Sequence, residues 1–272
     1  MAFHRFEDYE AVILTPHLSS GKSPVIRGKY LYYCLNQKEA GTGSELHYHP
    51  NELLIFMVRG KANGIVGKDR RIVHPGTFVL VPPNVRHSFK ATEDGPCAYL
   101  YIKDKTWTVV GLAADERRPD RAMDVDEANA KFGAGEIVDR KGGTISSDGT
   151  NANDDIIIEG VPPCFYEVLG SMDQPYGSGR RVEWIEGERS AFGFIEAPKG
   201  YEQSSAAADH EYFYYVLDGA LQAEVDGEAS TVTTGGIIEI PKGAAYRLTV
   251  APDVPTRLAV VRSTEFLEAR IA

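Results

Sequence analysis

His47, Tyr48 and His49 form a His-x-His pair, and a third histidine, His87, follows the turn-like run Pro82-Pro83-Asn84-Val85-Arg86. Side chains alternate across a strand, so two histidines one residue apart face the same way and both can grip one ion. Imidazole ligands suit iron, zinc, copper, nickel and related metals. The third ligand must come from another strand, and His87 stands at the start of a strand-like run. The expected metal ligands are therefore His47, His49 and His87.

An internal repeat sets these histidines apart. Gly41, His47, His49, Glu52, Gly60, Gly76, Pro82 and His87 each have a counterpart 159 residues later, without a gap. The counterparts are Gly200, Ala206, Ala208, Glu211, Gly219, Gly235, Pro241 and Tyr246. Glycines, proline and glutamate survive in the second copy, and all three histidines are gone. A duplicated scaffold that keeps its turns and loses its histidines implies that the histidines do more than hold the fold.

The elements that must carry them read as short strands between turns. In the first copy strands are expected near 29–36, 46–49, 52–58, 62–66, 77–81, 87–91 and 97–103. Turns fall at Gly41-Thr42-Gly43, Arg59-Gly60, Gly67-Lys68-Asp69, Pro75-Gly76 and Pro82-Pro83-Asn84. The second copy repeats them at Pro198-Lys199-Gly200, Asp218-Gly219, Asp226-Gly227, Gly235-Gly236 and Pro241-Lys242-Gly243. Between the copies, Asp124–Phe132 reads as one short helix with Asp124 as its cap, and 146–155 as a polar loop. With 14 Tyr, 11 Phe, 27 Gly and 15 Pro, the composition is that of an all-β chain.

A net charge of −10 argues against nucleic acid or an anionic membrane as partner. No apolar run approaches the roughly 18 residues of a membrane span. Cys34, Cys97 and Cys164 are too widely spaced for a disulfide framework or a metal site, and read as buried thiols in a reducing compartment. Met1–Glu10 lacks the apolar core of a secretory signal, so the expected location is cytoplasmic.

At this point the chain resembles the cupin superfamily. The family's first motif, G-x5-H-x-H-x3-E-x6-G, is matched by Gly41, His47, His49 and Gly60; its second, G-x5-P-x-G-x2-H, by Gly76, Pro82 and His87, with Asn84 in place of the middle glycine. The resemblance covers 41–103 and 200–262. It implies an all-β bicupin: two tandem jelly-roll (double-stranded β-helix) barrels with a short helical linker region. The expected segments are 1–110, an N-terminal barrel with the metal site; 111–154, the linker; and 155–272, a C-terminal barrel without metal ligands. The family's glutamate ligand falls at Leu53, and Glu52 stands one position early, so alternation aims it at the opposite face unless a bulge intervenes. Glu52 recurs as Glu211 in the copy without histidines, which favours a structural role; turned inward it would be the catalytic base or a ligand.

Alternation places Ile55 and Met57 on the face of His49, and Phe89 beside His87, as apolar substrate-binding residues. Arg86 points away from that face, toward the surface or an interface. Leu54, Phe56 and Val58 lie opposite and need cover, which a homo-oligomer would supply. The three-histidine set resembles that of gentisate-type and β-diketone-cleaving dioxygenases. That resemblance implies an Fe(II) enzyme cleaving a C–C bond of a small chelating substrate. The alternatives are a metal-dependent isomerase, lyase or hydrolase of a hydroxy- or keto-acid, with Mn, Ni or Zn in place of iron, and a non-catalytic small-molecule-binding bicupin.

Overall fold

The computed structural model describes residues 1–143, 163–168, 184–250 and 255–271. Two compact units divide the chain, and neither is contiguous. The histidine-bearing unit comprises Glu10–Val25 and Cys34–Met172; the other comprises Met1–Tyr9, Ile26–Tyr33 and Asp173–Ala272. Of the contiguous segments 1–110, 111–154 and 155–272 expected from sequence, the histidine-bearing unit draws on all three and the other unit on the first and last.

Among the described residues, the sheet that carries most of the histidine-bearing unit's strands runs Phe165–Glu167, Thr77–Val81, Leu53–Arg59, Cys97–Asp104, Leu31–Lys38, Lys22–Ser23 and Val12–Ile13, with Val25–Arg27 also paired to Leu31–Lys38. The second runs Leu112–Ala113, His47–Tyr48, His87–Ala91, Ala62–Val66 and Asp69–Val73. In the other unit one sheet orders Phe3–Arg5, Gly236–Ile240, Tyr212–Asp218, Thr256–Ser263, Ser190–Ala197 and Ile185–Glu186. Its second sheet orders Glu202–Ser205, Tyr246–Val250, Ala220–Val225 and Glu228–Thr233. Tyr212 and Tyr214 sit in the apolar core of that unit, as filling residues.

The repeat is carried into the structure residue for residue. Leu31–Lys38 and Ser190–Ala197, Leu53–Arg59 and Tyr212–Asp218, Thr77–Val81 and Gly236–Ile240, His87–Ala91 and Tyr246–Val250, and Cys97–Asp104 and Thr256–Ser263 begin and end at the same offset of 159. The surviving glycines explain why the register holds: Gly60 and Gly219 have φ of 68° and 89°, Gly76 and Gly235 of 85° and 82°, a region closed to most side chains. Asn84 takes φ 63° where the motif has glycine, the substitution its short polar side chain tolerates best.

The expected helix forms over Val125–Gly133, and Asp124 caps it by accepting from the Glu127 N–H at 2.8 Å. The loop expected at 146–155 lies outside the described residues. All three cysteines are free and buried. No described helix is long and apolar enough to cross a membrane. Leu54 and Phe56 are buried within the chain itself and Val58 is half-buried. Arg86, expected at the surface or an interface, is buried within the chain and does not line the cavity beside the histidines.

Candidate metal centre

Three backbone arrangements bring the histidines together. His47 pairs directly with His87 across the antiparallel strands His47–Tyr48 and His87–Ala91. On the other side of His47–Tyr48 lies Leu112–Ala113, pairing Ala113 with His47. His49 is fixed from the turn before His87, where the Asn84 N–H donates to the His49 carbonyl at 2.7 Å. The left-handed turn at Asn84 thus sets one ligand directly and starts the strand that delivers another.

The result is a cluster of ring nitrogens lying within 4.8 Å of one another, from His47, His49 and His87, all buried. Ring centroids are 4.2 Å apart for His47 and His87, 5.0 Å for His47 and His49, and 5.3 Å for His49 and His87. His47 Nδ1 sits 2.7 Å from the Glu45 carbonyl and His87 Nδ1 2.8 Å from the Val85 carbonyl. A carbonyl only accepts, so each Nδ1 must carry the proton and each Nε2 presents a lone pair. His87 Nε2 is buried without a hydrogen-bond partner. Burial drives all three imidazoles toward the neutral form: His87 down to about 3, and His47 and His49 well below the ordinary histidine value. The neighbouring His87 adds to the effect on His47, and Lys103 to that on His49. Neutral rings, fixed tautomers and an orphaned lone pair fit a divalent cation.

Against His47 and His87 lies a cavity of about 30 Å3, lined from both sheets of the unit. Of the expected substrate-binding residues, Ile55 and Phe89 line it and Met57 does not. Leu53 lines it too, and this decides the orientation of Glu52. The register from Leu53 to Phe56 is unbroken against Thr77–Val81, so no bulge turns the chain and alternation sends Glu52 away. Glu52 is buried outside the cluster, its backbone N–H donating to Asp104 Oδ2 at 2.8 Å. Its counterpart Glu211 shows a structural use for this position, accepting backbone N–H groups from Lys29, Tyr30 and Leu31.

Several lining residues escaped the sequence reading: Lys38, Asn36, Ser44, Tyr99 and Tyr101. Tyr101 Oη stands 3.5 Å from His49 Nε2, and burial raises its pKa well above the ordinary value, so it keeps its proton. Alternation along 97–103 and comparison of Lys38 with its counterpart Ala197 were the available signals. Gly111 closes one side of the centre: a Cβ there would lie 2.7 Å from His47 Cδ2 and 3.1 Å from His49 Cε1. Beyond Gly111 is a second pocket of about 340 Å3, bordered by His17, Trp107, Val110, Glu116 and Arg140.

The remaining histidines lie elsewhere. The His74 carbonyl accepts from Thr77 in a turn, His4 meets Tyr9 and Glu239, and His210 meets Glu268.

Residues 37–103 match the family model described as Cupin domain. That stretch is thus similar to a cupin domain. Among solved structures the chain is similar to oxalate decarboxylase. A structure concerned with that enzyme's substrate binding mode and reaction specificity aligns with a TM-score of 0.65 at 17% identity, covering 97% of this chain and 77% of that one. A Bacillus subtilis oxalate decarboxylase studied for its Mn(II) centres gives the same TM-score and identity, covering 97% and 78%. At such identity the likeness is one of fold: an all-β, two-unit cupin architecture. No curated protein matches the sequence.

Proposed function

We propose that this cupin is a metal-dependent enzyme acting on a small oxygen-chelating acid by lyase-type cleavage. The observation that carries the reading is the buried triad of neutral imidazoles with no carboxylate in the cluster. Such a centre leaves a cation's charge uncompensated by the protein and so favours an anionic chelating ligand. A bound divalent cation, Mn(II) or Fe(II), supplies Lewis-acid polarisation of the acid's oxygens.

The chain's own residues do the rest. Leu53, Ile55 and Phe89 wall off water, and the Tyr101 hydroxyl offers a proton for hydrogen bonding beside His49. A volume of about 30 Å3 holds a water or two as it stands, so the lining must give way for any acid, and least for one of few atoms. The fold likeness to oxalate decarboxylase supports the same choice of small acid and makes Mn(II) the first metal to try.

One observation favours a second reading, the Fe(II) dioxygenase acting on a larger chelator. The 340 Å3 pocket past Gly111 is large enough for a ring, and movement of the segment around Gly111 would join it to the centre.

The test is reconstitution with Mn(II) and, separately and anaerobically, with Fe(II). Small hydroxy-, keto- and dicarboxylic acids are assayed for cleavage, and diphenols and 1,3-diketones for O2 uptake. Turnover of a small acid is the expected result. O2 uptake confined to diphenols or diketones would replace the lyase reading with the dioxygenase, and ligand binding without any turnover would make the protein a non-catalytic binder.

A further inference from the structure

The unbroken repeat allows the metal cavity to be compared, position by position, with the same place in a unit that has lost its histidines. Lys38 corresponds to Ala197, Asn36 to Ile195, Tyr99 to Leu258 and Tyr101 to Val260. All four counterparts belong to the apolar core of their unit. These four residues have therefore given way to apolar ones where the three imidazoles are lost, although Gln203 stands at the position of Ser44, while the strands that carry the four, Leu31–Lys38 and Cys97–Asp104, match Ser190–Ala197 and Thr256–Ser263 in length and register.

Lys38 is the most telling of these losses. A lysine is rarely buried without a partner of opposite charge, because removing an ammonium from water is costly. The fold does not require it, since alanine fills the same place on the matching strand. Lys38 is 4% exposed and Asn36 is 5% exposed. They stand two apart on one strand, hence on one face, and both line the cavity. Lys38 Nζ donates to Ser19 Oγ at 3.2 Å, one of the three hydrogen bonds an ammonium can give. Asn36 Oδ1 is buried with no hydrogen-bond partner. No aspartate or glutamate lines the cavity.

We propose that Lys38, with Asn36 beside it, is the specificity-determining group of the cavity, holding the carboxylate of a small acid whose remaining oxygens face the three imidazoles. This rests on the metal-site reading above. Lys38 supplies the counter-charge and Asn36 Oδ1 accepts from a hydroxyl or protonated oxygen of the same ligand. The class of ligand is an acid with a second oxygen close to its carboxylate: a 2-hydroxy acid, a 2-keto acid or a short dicarboxylate. Burial holds the Lys38 ammonium down to about 7, and a bound anion would restore its charge.

Oxalate and its neutral isostere oxamide separate charge recognition from shape. Both are titrated calorimetrically into the full chain, metal-free and loaded with Co(II), as wild type, Lys38→Met and Lys38→Ala. Metal content is measured in parallel by elemental analysis. The alanine variant copies the residue that the matching strand already carries, so its fold is the safer of the two. The expected result is unchanged Co(II) content, with the preference for oxalate over oxamide reduced about tenfold or more in both variants. Unchanged oxalate affinity and preference in folded, Co(II)-loaded variants would overturn the proposal. A wild type that takes up no Co(II) would sink the metal-site reading instead. In that event oxalate binding to the metal-free chain still decides for or against Lys38, by whether it weakens in the variants.

Discussion

Each of the three imidazoles is poised by burial for metal binding, and that has a measurable consequence before any metal is added. In the unfolded chain a histidine titrates near about 6.5, whereas His87 is held at about 3 and its neighbours are lowered in the same direction. Below pH 6.5 the unfolded state therefore binds more protons than the folded one, and stability must fall as pH drops from there toward 3. Each step of one in pH along that descent costs about 1.4 kcal/mol for every proton that the unfolded chain alone takes up. Urea midpoints of the metal-free protein should decline steadily below neutrality, and His87→Gln should flatten the curve. Equal midpoints at about pH 7 and about pH 5 would show that the rings are not held neutral by burial. At this scale the histidines were legible in the sequence, because their spacing is a pattern and their loss in the second copy is a contrast. Alternation aimed Glu52 away from the histidines and it lies outside their cluster, so the alternative of an inward-turned catalytic base finds no support in the geometry. Lys38 and Asn36 were missed because a polar residue at the end of a strand is indistinguishable from an exposed one until it is set beside its counterpart.

Elements place these groups more than side-chain packing does. The short strand His47–Tyr48 is held between His87–Ala91 and Leu112–Ala113, and the last of these brings Gly111 against two of the rings. Gly111→Ala should leave the fold intact but displace His47, so metal affinity drops about tenfold or more while the urea midpoint changes little. Full metal retention in that variant would mean that the segment yields easily and does not fix the rings. Away from the centre, Asp124→Ala removes the helix cap and should cost about 1 kcal/mol of stability by urea unfolding, with metal content unchanged. A variant as stable as wild type would show that the helix Val125–Gly133 contributes nothing to the folded unit. Most strands were legible from alternation and from glycine and proline turns, often to the residue. The short strands Val12–Ile13, Lys22–Ser23 and Leu112–Ala113 were not, since two residues carry no periodicity.

For the whole molecule, the duplication explains why one chain has two like units and one chemical centre. Among the described residues only His47, His49 and His87 gather as a group that could hold a metal ion. In the other unit Tyr246 replaces His87, and Gln203 donates hydrogen bonds to Tyr246 and Tyr214. The expected metal content is one ion per chain. The exchange of terminal segments was not legible in the sequence. Phe3–Arg5 pairs with Gly236–Ile240 and Phe165–Glu167 with Thr77–Val81, pairings fixed by long-range hydrogen bonding that no local pattern announces. Anomalous X-ray scattering from a crystal grown with Mn(II) tests the central claim most directly. One peak, within about 2.0–2.3 Å of a nitrogen from each of His47, His49 and His87, is the predicted result. The absence of a peak there, with the three rings turned apart, would contradict it.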